Sequence, residues 1–160
     1  MPVEADLLRQ AMRFWVTGVT VVTAVHQGVQ HGMTVSSFTS VSLTPPQVLI
    51  SLAQSARTHS LVSRSRSFGV SILSVNQQDI ADRFAGRATE ELDRLTGLET
   101  FTLVTGTPMI AGGLMHLDCR VLTTFGAGAN TIFIGDVVAA QCVENGDPLV
   151  YFNRGYKKLV

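Results

Sequence analysis

Between Thr34 and Thr44, seven of eleven residues are serine or threonine, and the run stops at Pro45-Pro46. Apolar runs flank it at residues 19–25 and 48–52. Two consecutive prolines exclude a helix interior and a central-strand pairing, so the chain must turn there. Each hydroxyl donates one hydrogen bond and accepts two without adding charge. A segment so composed suits a polar pocket for an oxygen-rich ligand with a flat ring system. It equally suits an ordinary strand and turn, because threonine favours strands and serine favours turns.

The pattern around this run reads as mainly β. Leu8, Ala11, Met12 and Trp15 recur at helical spacing and predict a helix over 5–15, ended by Gly18. Residues 19–25 predict a strand, Gln27-Gly28 a hairpin turn, and 30–35 its partner. Strands are expected at 48–52, 68–73, 131–138 and 149–152, the third carrying Gly135, which predicts a bulge or the close approach of a ligand. Met115, Leu117, Cys119 and Val121 alternate with His116, Asp118 and Arg120, which predicts a half-buried strand with His116 facing outward. Asn76 is expected to cap a helix running to Phe84, with Gly86 as its stop. Residues 87–107 read as irregular and polar, with a short helix at 90–95 and the character of a lid or dimer arm. About seven short strands without a βαβ rhythm indicate one antiparallel barrel domain over residues 1–160.

Thr58 is placed to cap a short helix ending near Ser65. A helix start presents unpaired N–H groups and partial positive charge, an anion site to which Arg57 adds a guanidinium fork. The other reading leaves Arg57 in solvent and Thr58 as a cap alone.

Composition excludes several functions. Lys plus Arg and Asp plus Glu number 12 each, so no basic stripe exists to track a phosphate backbone, and nucleic acid is not expected as a partner. Arg154 with Lys157-Lys158 reads as a solvated end. No apolar stretch approaches the roughly 20 residues of a membrane span. Glu4, Asp6, Arg9 and Arg13 make residues 1–15 unlike a signal peptide, and a cytoplasmic protein is expected. Charged residues are only 15% of the chain, which predicts surface hidden in an oligomer. Cys119 and Cys142 lack CxxC spacing and read as buried small hydrophobes. His26, His31, His59 and His116 form no metal-ligand spacing. Gly126 and Gly128 lack the third glycine of a dinucleotide fingerprint, and phosphate-loop and nucleophile-elbow motifs are absent. What remains would bind a phosphorylated planar cofactor and leave the chemistry to it.

Three runs carry a resemblance: Gly18-Val19-Thr20-Val21-Val22-Thr23, Gly32-Met33-Thr34-Val35-Ser36-Ser37-Phe38-Thr39-Ser40-Val41-Ser42-Leu43-Thr44-Pro45-Pro46, and Thr131-Ile132-Phe133-Ile134-Gly135-Asp136-Val137. Together they resemble the flavin reductase family, the small reductase components of two-component flavin monooxygenases. Phe84-Ala85-Gly86 and Pro148-Leu149-Val150-Tyr151-Phe152 resemble further landmarks, so the likeness spans nearly the whole chain in order. It implies an FMN-binding split β-barrel, a homodimer with flavin near the interface, and reduction of FMN or FAD by NADH or NADPH for a separate oxygenase. On this sequence it implies that Thr34, Val35, Ser36 and Ser37 border the ring, with Phe84 also on the cofactor side. Ser51, Leu52 and Ala53 would run under the ribityl chain, and Ser55, Arg57 and Thr58 would hold the phosphate.

Where the family usually has Asp-His before Thr-Ile-Phe-Ile-Gly, this chain has Ala129-Asn130, which puts Asn130 at the nicotinamide site. Asparagine hydrogen-bonds a carboxamide but does not titrate. Hydride transfer rests on stacking and alignment, so no catalytic titrating residue is expected. No basic residue stands ready for a ribose 2′-phosphate, which favours NADH. Two alternatives stay open: a flavin-binding carrier or sensor of the same fold that does not use nicotinamide, and an oxidase or reductase acting directly on a small organic or corrinoid substrate.

Overall fold

The computed structural model describes residues 1–87 and 93–160. Helix α1 (Ala5–Met12) precedes a short strand β1 (Thr17–Gly18) and the hairpin β2 (Thr20–His26) and β3 (Val29–Val35). Gln27 and Gly28 take φ of 49° and 78°, the left-handed pair that a two-residue hairpin turn requires. Strands β4 (Thr39–Leu43) and β5 (Pro46–Ala53) follow, then helix α2 (Arg57–Ser65), β6 (Ser67–Ile72) and helix α3 (Gln78–Asp82) with a wide turn over Arg83–Arg87. The chain closes with β7 (Thr100–Phe101), β8 (Met109–Ile110), the long pair β9 (Met115–Ala127) and β10 (Asn130–Cys142), β11 (Val150–Phe152) and β12 (Gly155–Lys157).

Seven strands form one antiparallel sheet in the order β3-β2-β6-β9-β10-β5-β4. Its two edge strands are consecutive in the chain, joined only by Ser36, Ser37 and Phe38. Four residue steps from Val35 to Thr39 reach at most about 14 Å. In a flat sheet six inter-strand spacings would hold the edges roughly 29 Å apart. The sheet is therefore rolled into a barrel, and the split between β3 and β4 is bridged by the serine-rich link.

Val22, Ala24, Ile50, Leu52, Val70 and Phe133 fill the barrel, and Leu61 and Val62 of α2 plug it. A second core of Val19, Val21, Leu73, Ala81, Phe84 and Ile110 lies beneath α3 and the segment leading into β8. Strand β2 contributes Val22 and Ala24 to the first core and Val21 to the second, which explains why both of its faces are buried from Thr20 to Ala24. Inside the barrel Gly135 admits a core ring: a Cβ there would stand 2.7 Å from Phe68 Cζ. The glycine also borders a register shift. The bulge anticipated at Gly135 is present, and what approaches it is Phe68.

Several expectations are corrected. The first helix stops at Met12, because the chain is gripped there: Asn153 N–H donates to the Arg13 carbonyl (3.0 Å) and Arg13 Nε donates to Asn153 Oδ1 (3.1 Å). Gln77, not Asn76, precedes α3, and its side chain accepts from Ser74 N–H and donates to the Ala111 carbonyl. His116 does not face outward; it is 5% exposed, donates from Nε2 to the Ile110 carbonyl (2.6 Å) and meets Phe101 edge-on. Asp118 is fully buried and accepts from the amides of Val104 and Thr105, both 2.7 Å, and from the Thr105 hydroxyl. The segment 100–110 covers that face of β9, so alternation in the sequence does not mark solvent. Arg94, in the stretch read as irregular and polar, is buried and donates to the carbonyls of Gly32 and Phe84. Residues 90–92 of the helix expected at 90–95 lie outside the described residues, and over 93–95 there is no helix: Arg94 and Leu95 stand in a turn. Cys119 is buried as expected, but Cys142 is exposed. Proline 46 opens β5 rather than lying in the turn, and β12 was not anticipated.

Candidate functional site

The link that bridges the split also borders two clefts. One, of about 910 Å³, lies between Trp15, Val16 and Phe38 and includes Ser36 and Ser37 in its wall. The other, of about 520 Å³, has Thr34, Ser36, Asp82 and Tyr156 in its wall. Val35, Ser36, Tyr151 and Arg154 belong to both, so the clefts meet at the serine link. Cavities of this size accommodate a cofactor or a small-molecule substrate.

The hydroxyls of this stretch are not equivalent. Thr34 Oγ1 donates to the Ala81 carbonyl (2.7 Å), which ties β3 to α3. Val35 is buried, and its carbonyl accepts from Thr20 Oγ1 at 2.6 Å. Ser36 is exposed at the rim. Ser37 Oγ donates to the Ser51 carbonyl (2.7 Å) and accepts from the Ser51 amide (3.2 Å), fastening the link to β5.

On β5, Ser51 and Ala53 share one half-buried face, whereas Leu52 points the opposite way into the barrel core. Ser51 pairs with Ile132 and Ala53 with Asn130 on β10. Asn130 Nδ2 donates to Ser51 Oγ (3.2 Å). Its carbonyl accepts from Gln54 Nε2 (3.2 Å), while Gln54 N–H donates to the Ala129 carbonyl (2.9 Å). Thus Ser37, Ser51 and Asn130 are brought into one hydrogen-bonded line.

Beyond Ala53 the chain enters α2. Ala56 occupies its N-cap and supplies no side-chain hydrogen bond, so the amides of the first turn lack that partner. Ser55 and Arg57 are exposed beside it. Thr58 is not the cap: it lies inside the helix with 0% exposure, its hydroxyl bonded to His31 Nδ1 at 2.8 Å. Its side chain is thereby withdrawn from any ligand. Phe84 is likewise a core residue at 1% exposure, its ring against Gly32, and belongs to neither cleft wall.

Sequence reasoning missed His59 and the far walls of the clefts. His59 Nε2 stands 2.8 Å from Thr131 Oγ1, its ring meets Phe133 edge-on, and burial pushes its pKa down. Arg154, read as part of a solvated end, lines both clefts because β11 returns antiparallel to β1. No local pattern announces either residue. Among the described residues no cluster of His, Cys, Asp and Glu could hold a metal ion.

The model of the flavin reductase like domain matches residues 12–160. The chain belongs to the flavin reductase family. An NADH-dependent flavin reductase of a Rhodococcus species is 36% identical over 155 residues, covering 95% of this chain and 85% of that protein. The reductase component of the 4-nitrophenol 4-monooxygenase/4-nitrocatechol 2-monooxygenase of Rhodococcus opacus is also 36% identical, covering 99% and 83%. Among solved structures, the NADH:FAD oxidoreductase SgcE6 of Streptomyces globisporus, in complex with NAD and FAD fragments, superposes with a TM-score of 0.90. It is 31% identical and covers 100% of this chain and 97% of its own.

For a flavin reductase the donor set is chemically apt. A flavin presents ring carbonyls and nitrogens, a hydroxylated chain and a phosphate. The Thr34 and Ser37 hydroxyls and the Ser51 amide are spent within the protein, so the hydroxyls of Ser36 and Ser51 suit the first two, and the start of α2 with Arg57 suits the third, although residues 51–57 line neither cleft. No helix among the described residues is long and apolar enough to cross a membrane.

Proposed function

We propose that this chain is an NAD(P)H-dependent flavin reductase that binds FMN or FAD along the line from Ser36 to α2. Bound there, the flavin would supply the redox chemistry, hydride transfer from a nicotinamide nucleotide to its ring. The protein's part is to hold and align. The backbone around Val35, Ser36 and Ser37 borders the ring, Ser51 and Ala53 flank the ribityl chain, and Ser55, Arg57 and the first amides of α2 receive the phosphate. The observation that carries this reading is the polar line that runs from Ser36 at the two-cleft rim, past the Ser37–Ser51 pair, to a helix start without a side-chain cap.

NADH is the favoured donor, as in the names of the relatives, and a separate oxygenase is the natural consumer of the reduced flavin. The working form is a cytoplasmic homodimer. Leu8, Met12, Phe14, Trp15 and Val16 lie exposed in succession around α1, an apolar patch that a second copy would cover. Light scattering at micromolar concentration tests the assembly, and a mass near the 17.2 kDa of one chain would remove the dimer.

The activity is tested by titrating purified protein with FMN and FAD and following NADH and NADPH oxidation. Flavin-dependent turnover is expected with NADH. Flavin binding without turnover with either nucleotide would replace the reductase by a carrier or sensor. Absence of both would end the reading. Arg57→Ala is expected to weaken flavin binding about ten- to a hundredfold, the worth of one charge-assisted hydrogen bond.

A further inference from the structure

Asn130 occupies a position at which the resemblance placed a nicotinamide contact, yet one of its amide hydrogens is directed at Ser51. Nδ2 donates to Ser51 Oγ at 3.2 Å, and the backbone on either side is fastened by Gln54, whose Nε2 donates to the Asn130 carbonyl and whose N–H donates to the Ala129 carbonyl. His59 adds a fourth tie through Thr131 Oγ1. The end of the β9–β10 hairpin is thereby latched to β5 and to α2.

Ser51 is the residue this latch acts upon. Its amide and its carbonyl are both taken by Ser37 Oγ, and its hydroxyl oxygen accepts from Asn130. A hydroxyl has one hydrogen and two acceptor positions. With an acceptor position filled by Asn130, the hydroxyl hydrogen is turned away from that amide and is left as the donor that Ser51 can offer on the half-buried sheet face it shares with Ala53.

We infer that Asn130 is a positioning residue that sets the Ser51 hydroxyl as a donor to the flavin, and not a nicotinamide contact. The inference rests on the reading that the flavin runs along Ser51. Replacing Asn130 then affects the flavin side of the site through Ser51, while nicotinamide recognition falls to the cleft walls beyond.

The test compares Asn130→Ala, Asn130→Asp, Ser51→Ala and the double variant, each with three readouts. Flavin affinity comes from quenching of FMN and FAD fluorescence, KM for NADH from steady-state rates at saturating flavin, and the apo-protein melting temperature from calorimetry. Asn130→Ala and Ser51→Ala are each expected to weaken flavin binding about five- to tenfold, the worth of one hydrogen bond, with KM for NADH within about twofold of the parent. The double variant is expected to be no weaker than either single, because both remove the same contact. Asn130→Asp keeps the shape but loses the N–H donor, so it is expected to behave like Asn130→Ala at an unchanged melting temperature.

A raised KM for NADH with unchanged flavin affinity in Asn130→Ala would overturn the inference and restore Asn130 to the nicotinamide side. Additive losses in the double variant would also overturn it, since the two residues would then act separately. If Ser51→Ala weakens flavin binding but neither Asn130 variant does, the positioning role fails and the proposed groove stands. If the parent binds flavin and all variants bind it equally, the groove itself is misplaced and the inference falls with it.

Discussion

Ser37 Oγ lies 2.7 Å from the Ser51 carbonyl and 3.2 Å from the Ser51 amide, and this one hydroxyl stands in for a missing rung of backbone. Thr39 pairs with Leu49, so continuation of that register would set Ser37 opposite Ser51. The chain has already left β4 there to cross the split, and the side chain takes both bonds that a paired strand would have made. Ser37→Ala leaves a half-buried donor and acceptor without this partner and is expected to cost about 1–2 kcal/mol. For a domain of this size that is a fall in melting temperature of roughly 2–8 °C, to be read by calorimetry on the apo-protein. An unchanged melting temperature would show that the bridge is fastened elsewhere.

Gly135 and Phe68 make a second dependency inside the barrel. An added methyl would sit 2.7 Å from Phe68 Cζ and 3.1 Å from Cys119 Cβ, so the ring must move within a closed core. Gly135→Ala is expected to destabilise by about 1–3 kcal/mol, the usual cost of overpacking. Pairing it with Phe68→Leu should recover part of that loss in urea titrations; additive losses would place the strain elsewhere.

The pH dependence of stability follows from His59. Burial holds its folded pKa below the ordinary 6.5, so the unfolded chain takes up a proton first as the solution is acidified. Its contribution is fully present above 6.5 and is lost as pH falls from there through the lower folded value. The melting temperature is therefore expected to drop between neutral and mildly acidic pH, and His59→Gln should flatten that drop. Equal slopes in parent and variant would assign the effect to other groups.

The two cysteines should separate cleanly by reactivity. Burial, with the charges of Asp118 and Asp136 adding to it, pushes the Cys119 thiol up to about 12, whereas Cys142 is exposed. A thiol reagent at mildly alkaline pH is expected to label only Cys142 in the native protein and both cysteines after denaturation. Native labelling of Cys119 would mean that the barrel opens on the time scale of the reaction.

The β-rich class, the Gln27-Gly28 hairpin, most strand positions and the serine link were legible because each rests on local chemistry: branched residues, a left-handed turn pair, prolines. The residues of the candidate site were half legible. Ser37 and Ser51 were named, but nothing in their spacing announces that one caps the backbone of the other. Thr58 and Phe84 were assigned toward a ligand, and the structure sets both in the interior. Alternation around His116 promised a solvent face, but a segment nearby in sequence folds over it.

By itself the sequence determined which stretches are extended, where the chain reverses, and that its central run offers uncharged oxygens. Those outcomes depend on residues within a few positions of one another. Tertiary structure alone decided which hydroxyls remain for a ligand: rolling the sheet brings β3 beside β4, spends Thr34 on α3 and Thr58 on His31, and leaves Ser36 at the rim. Availability of a polar group is set by what else lies within hydrogen-bond reach, and that is a property of the closed barrel rather than of the neighbouring letters.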